Sequence, residues 1–136
     1  MAASKKTNQA ALSQKNDPPA NLKDHIFYGL DLCEEQKEFR DAIYSKDYDI
    51  VFCEAKAGSG KTLVSIATAI LMCGYGMYDG ITYVCAPTQE ATLGFLPGTA
   101  ADKISLYTYP VYDALYKIGE DPSRIRSNCE LNIIQR

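Results

Sequence analysis

The chain is 136 residues long, 46% hydrophobic, and carries a formal net charge of −3 at pH 7. That length and apolar fraction suit one domain with its own core. The acidic balance argues against a surface that is basic throughout, although a local basic groove stays open. No apolar run approaches the ~20 residues that a membrane helix needs, and the opening "MAASKKTNQA" lacks the apolar stretch of a signal peptide. The cysteines (Cys33, Cys53, Cys73, Cys85 and Cys129) form no C-x-x-C pair and fit no zinc spacing. Four of them lie beside or within apolar runs and read as small buried hydrophobes, in a protein of the reducing cytoplasm with no membrane contact.

Residues 1–24 are expected to form a polar, flexible tail, and residues 25–136 the folded domain. The tail holds almost nothing large and apolar to offset its ordering entropy, and Lys5, Lys6 and Lys15 read as solvated. Asp31-Leu32-Cys33-Glu34 has the Asp-to-Glu spacing of a capping box. It predicts a helix running to about Lys46, with Asp31 as its cap, Phe39, Ala42 and Ile43 on its apolar face, and Glu35, Lys37, Glu38 and Asp41 opposite. Ile50 to Glu54 is a short apolar run of strand formers and predicts a buried strand. "KTLVSIATAILMC" then predicts a helix over Lys61–Cys73, apolar nearly all round and closed by Gly74. Ile81 to Cys85 reads as a second buried strand, so strand, helix and strand follow in order, as in a βαβ unit with a parallel pair.

Ala86-Pro87-Thr88 falls at the carboxyl end of that second strand, the edge where such sheets bind ligands. "LGFLPGT" at 93–99 is an apolar loop with a Pro-Gly turn. Thr99, with Asp102 three residues on, suits the cap of a helix from Ala100, which Pro110 is expected to end or restart. Val111, Leu115 and Ile118 continue an apolar face toward Gly119. Tyr107, Tyr109, Tyr112 and Tyr116 read as packed core in preference to a base-stacking surface. Glu130 to Ile134 begins a third strand. His25, the sole histidine, has no acid or nucleophile beside it in sequence and is given no catalytic role.

The chemistry lies in "EAKAGSGKT", residues 54–62. A phosphate loop needs glycines that let backbone N–H groups wrap an anion, a helix N-terminus aimed at it, a lysine for charge and a hydroxyl for Mg²⁺. Here Ala57, Gly58, Ser59 and Gly60 form the wrap. Lys61 reaches the β- and γ-phosphates and is the candidate catalytic residue, and Thr62 is the candidate metal ligand. The strict pattern G-x-x-x-x-G-K-[ST] is met except at its first glycine, where Ala55 stands. No run of four apolar residues ending in Asp or Glu follows Thr62, so the second acid that such enzymes use to hold Mg²⁺ through water is not found. The expected fold class is α/β: a P-loop NTPase (RecA-like) parallel sheet flanked by helices, incomplete and corresponding to the front part of such a domain.

"FCEAKAGSGKTLVSIATAI", followed by "ITYVCAPTQEATLGFLPGTAADKISLYTYPVYDAL", resembles the PhoH-like P-loop ATPases over about Leu32 to Leu115, with "LGFLPG" after Ala-Pro and then "PVYDAL" as the specific part. The resemblance implies a core similar to superfamily 1 helicases, ATP hydrolysis and, in some members, RNA unwinding. It also implies an adenine-reading glutamine upstream of the loop, a role that Gln36 matches and that a carboxamide can fill, since it both donates and accepts. Where family members often carry Arg, this chain has Cys85.

Three readings follow. The first is an ATP- and Mg²⁺-binding domain with little or no hydrolysis by this chain alone. The second is the front part of a helicase acting on single-stranded RNA or DNA, with Thr88 on backbone phosphate. The third is a non-catalytic nucleotide-binding module that assembles, as a homo-oligomer or with partner subunits, through an unpaired sheet edge.

Overall fold

The computed structural model describes residues 17–85, 100–120 and 130–135. Three helices and a two-stranded parallel sheet make up an α/β arrangement: α1 (Glu34–Tyr44), α2 (Lys61–Gly74), β1 (Gly80–Cys85), α3 (Ala100–Lys117) and β2 (Glu130–Gln135). Helix α2 is the central element. It packs against α1, α3 and β1, which its composition demands, because apolar side chains on most of its faces need several neighbours. Val64, Ile66, Ala67 and Ile70 are buried with Val111, Ala114 and Leu115 of α3, with Ile118 just after it and with Phe27 and Leu32. Two of its hydroxyl side chains are satisfied within the helix: Thr68 Oγ1 donates to Val64 O at 2.6 Å and Ser65 Oγ to Thr62 O at 3.1 Å.

Helix α1 begins later than the Asp31 spacing predicts. Cys33 is its N-cap, and Gln36 Oε1 accepts the Cys33 N–H at 3.0 Å, while Asp31 is exposed and caps nothing. The capping box therefore uses the glutamine three residues after Cys33. The residues of α1 that bury are Arg40 and Tyr44; Phe39, Ala42 and Ile43 are only half-buried. Arg40 lies with its guanidinium over the Phe27 ring, 5.4 Å from the centroid, and its Nε donates to Asp41 Oδ1 at 2.9 Å.

Phe27, Tyr28 and Gly29 all have positive φ (46°, 58° and 71°). For two aromatic residues this left-handed turn costs roughly 1–2 kcal/mol each. Burial of the Phe27 ring offsets that cost, and His25 Nδ1 braces the turn by accepting the Phe27 N–H at 2.9 Å. The other ring nitrogen of His25 lies 3.1 Å from the Tyr75 hydroxyl, so His25 ties the turn to the end of α2. Packing also extends into the stretch read as tail: Leu22 is 1% exposed, and Pro19 O accepts a hydrogen bond from the Tyr44 hydroxyl.

The sheet differs from the predicted βαβ unit. β1 pairs with β2, with Ile81 opposite Leu131 and Tyr83 opposite Ile133. Helix α3 is thus the element between the parallel strands, and the third strand read at Glu130–Ile134 is present. One face of the pair packs on the core through Ile81, Tyr83 and Leu131, whereas Thr82, Val84, Asn132 and Ile134 face outward. β1 is therefore half-buried with alternating exposure, and only Cys85 is fully buried.

Residues 50–54 form no strand. Ile50 is 71% exposed and Phe52 93%. A strand exists through its ladder, and this segment pairs with neither β1 nor β2.

Two helix ends also depart from expectation. Helix α2 closes two residues beyond Gly74: Gly76 has φ 75°, Gly76 N bonds to Cys73 O and Met77 N to Met72 O, a Schellman closure. Helix α3 continues through Pro110 to Lys117. A proline there removes one backbone bond, but Val111, Ala114, Leu115 and Ile118 are buried on either side of the next turn and hold the helix in line. Three tyrosines read as core, Tyr109, Tyr112 and Tyr116, are exposed, opposite the buried face, while the Tyr107 side chain lies outside the described residues. Of the cysteines, Cys73 and Cys85 are buried, while Cys33 and Cys53 are exposed. No described helix is long and apolar enough to cross a membrane. Thr88, the "LGFLPG" segment, Thr99 and Cys129 lie outside the described residues.

Candidate functional site

Residues 55–60 lead directly into the first turn of α2. Gly58 (φ 81°) and Gly60 (φ 85°, the N-cap) both adopt left-handed backbone. This alternation turns successive amides toward one side, the geometry of an anion nest. No side chain caps α2, and helix geometry leaves the amides of its first turn without intrahelical partners. The helix bonds begin with Val64 N to Gly60 O at 2.9 Å, and the loop is braced by Ser59 N to Lys56 O at 3.2 Å. Electrostatically the end is positive, because the macrodipole of α2 and its free N–H groups sum there.

Three side chains complete the site. Lys61 folds back over the loop and donates to Ala55 O (2.5 Å) and Lys56 O (3.0 Å). Its ammonium is thus already placed over the loop rather than extended into solvent. Ser59 Oγ is buried and has no hydrogen-bond partner among the described residues. A buried hydroxyl left unpaired costs about 1–3 kcal/mol. Thr62 stands on the first turn of α2, half-buried, next to Lys61.

The fourth contributor arrives from another element. Gln36, in the first turn of α1, donates through Nε2 to Ser59 O at 2.9 Å. The structure therefore brings together all the residues read from sequence as the site: Gln36 from α1 touches the loop at Ser59, and Ala57, Gly58, Gly60, Lys61 and Thr62 follow from the loop and α2. Cys33 was not foreseen. Its N–H takes the other end of the Gln36 carboxamide, and the signal that could have found it is the spacing Cys33-x-x-Gln36 at the start of an apolar helix.

The cradle is an open surface: Ala55, Lys56, Ala57 and Gly58 are all exposed. The 500 Å³ cleft lined by Pro19, Leu22, Tyr44 and Met77 includes none of its residues. No group of three or more His, Cys, Asp or Glu side chains that could hold a metal ion occurs among the described residues.

The comparisons with known proteins agree with this geometry. The PhoH-like protein family matches residues 31–135. The chain is 38% identical over 102 residues to a PhoH-like protein of Mycobacterium tuberculosis, covering 74% of this chain and 28% of that protein. It is 40% identical over 86 residues to Protein PhoH of Escherichia coli K12, covering 62% of this chain and 23% of that protein. A PhoH-like protein of Synechocystis is 36% identical over 94 residues. The chain thus spans about a quarter of the length of these relatives, and no solved structure matches it. With the family matched over most of the sequence, and the loop, its lysine and its upstream glutamine in place, this chain belongs to the PhoH-like protein family.

Proposed function

We propose that the chain is a nucleotide-binding domain that takes Mg·ATP at residues 55–62, within a RecA-like P-loop fold. The observation that carries the reading is the buried, unpartnered Ser59 hydroxyl at the uncapped start of α2. A triphosphate supplies the acceptor oxygens that this hydroxyl and the first-turn amides lack. Lys61 exchanges two carbonyl partners for phosphate oxygens, a stronger charge-assisted pairing. Gln36 is the chain's candidate for reading adenine. Mg²⁺ would be held by Thr62 Oγ1 and by phosphate oxygens and water, since the described residues offer no carboxylate cluster. When bound, the ion neutralises charge on the β- and γ-phosphates.

Hydrolysis is the activity proposed for a complete PhoH-like domain, with little turnover by these 136 residues. Phosphoryl transfer rests on positioning and charge, and no run of four apolar residues ending in an acid follows Thr62 in this sequence. Calorimetry with Mg·ATP tests the reading. The chain is expected to bind, and Lys61→Ala to weaken binding about 10- to 100-fold, the range of a lost charged hydrogen bond. Equal affinity for both proteins, or no binding by either, overturns it.

A specific observation supports a second role for the same domain, as an assembly module. Ile50 and Phe52 stand exposed in an extended segment with no strand beside it among the described residues, and such a segment is a template for pairing with another chain. Sedimentation with and without ATP decides it: a monomer under both conditions removes this role. Single-stranded RNA or DNA is a further proposed partner. Its test is ATP hydrolysis by a full-length PhoH-like protein carrying this domain, which should rise when the single strand is added.

A further inference from the structure

The Gln36 carboxamide is engaged at both ends. Oε1 accepts the Cys33 N–H at 3.0 Å, and Nε2 donates to Ser59 O at 2.9 Å in a partly buried contact. Its Nε2 also lies close to the next residue of the loop: a Cβ built on Gly60 would fall 2.8 Å from it. A side chain at position 60 would displace the end of Gln36, in addition to the strain of its left-handed φ. The peptide unit between Ser59 and Gly60 is planar and trans, so its C=O and N–H point in opposite directions. Holding the Ser59 carbonyl toward α1 therefore aims the Gly60 N–H away from α1 and sets the direction of one amide of the nest.

We infer that Gln36 is a positioning residue for the phosphate loop, clamping the Ser59–Gly60 peptide so that it controls affinity for the triphosphate itself and not only for the base. The inference rests on the reading of residues 55–62 as a phosphate site. The clamp is built on a rigid part: α1 holds the carboxamide through the capping bond at Cys33 and is itself fixed by its packing on α2. Loop and helix cap share one side chain, so a displacement of either is felt by the other. Each amide end keeps spare capacity, one hydrogen on Nε2 and one lone pair on Oε1, and a base can be met without the clamp releasing.

The experiment separates the base from the phosphates. Binding of Mg·ATP and of Mg·tripolyphosphate, which has no base, is measured by calorimetry on the full chain and on Gln36→Met, a neutral variant of similar length. The clamp predicts that both ligands weaken together by about fivefold, the change carried by one net hydrogen bond. A loss confined to ATP, or no loss for either ligand, overturns the clamp and leaves the phosphate site standing. Failure of the unsubstituted chain to bind either ligand overturns the phosphate site and the clamp with it. Should Gln36→Met not fold, Gln36→Glu keeps an acceptor for the Cys33 N–H, replaces the donor to Ser59 O with a charged oxygen and is studied without any ligand. Its Gly60 ¹⁵N resonance, which responds to a hydrogen bond at the preceding carbonyl, is expected to shift. An unmoved Gly60 resonance overturns the clamp.

Discussion

Two apolar runs flank the loop, Ile50–Cys53 before it and Leu63–Cys73 after it, and they meet opposite fates. In the second, Val64 and Ala67 are fully buried and Ile66, Ile70 and Met72 nearly so; in the first, Ile50 and Phe52 lie open to solvent. Hydrophobicity does not separate them. A helix satisfies its own backbone and needs neighbours only for its side chains, which α1, α3 and β1 provide. A strand needs a neighbour for its backbone as well, and residues 50–54 pair with neither β1 nor β2. The loop inherits both conditions: its exit is anchored in the core through α2, and its entry hangs on an unpaired segment.

The comparison breaks most visibly in the core. Leu115→Ala on α3, where the side chain is 0% exposed against α2, is expected to lower the unfolding free energy by about 2–5 kcal/mol in urea titration. A loss under about 1 kcal/mol would mean that α2 does not rely on α3. Gly60→Ala probes the junction. It forces a side chain into left-handed backbone and against Gln36 Nε2, and should cost about 1–2 kcal/mol together with nucleotide binding. Retention of both stability and affinity would show that the junction tolerates a side chain.

Tyr44→Phe removes the bond to Pro19 O and should cost about 1 kcal/mol. It also has a pH signature. Burial, with Tyr75 contributing, raises the Tyr44 hydroxyl above its ordinary value of 10.0. The folded state thus holds this proton more tightly than the unfolded chain does, and the stabilisation is fully present below pH 10. It is lost as pH rises through the higher folded value. The stability difference between the unsubstituted protein and Tyr44→Phe should therefore stay constant from pH 7 to pH 9 and shrink above 10. A difference that grows in that range would contradict the burial. The smallest effect is expected at Phe52→Ser. With the ring 93% exposed, stability should change by no more than about 0.5 kcal/mol, and self-association, if present, should fall. A loss above 1 kcal/mol would place Phe52 against a partner.

Local signals carried far in this chain. The glycine loop and the helix that follows it were legible because glycine spacing, an apolar helix and a Lys-Thr pair at its start are all written in consecutive residues. Helix α2 was legible because no other element can hold "LVSIATAILMC" as well as a helix with several neighbours. The strand at Glu130 was legible from its alternation and β-branched content. The cap of α1 was misplaced at Asp31 because two capping patterns overlap within three residues, and only the fold chooses Gln36, whose amide must also reach Ser59. The tyrosines of α3 were misassigned for a related reason. Tyr109, Tyr112 and Tyr116 share helical spacing with a core face, but Val111, Ala114, Leu115 and Ile118 occupy the side that meets α2.

Alone, then, the amino-acid order determined where the glycine loop lies, the α/β class and the main helix, since these depend on contacts within a few residues. Tertiary structure alone decided which strands pair, that residues 50–54 stay unpaired, and that Gln36 rests on the loop. Such outcomes hinge on which long-range partner arrives, and a backbone hydrogen bond between distant segments leaves no mark in either segment's own sequence.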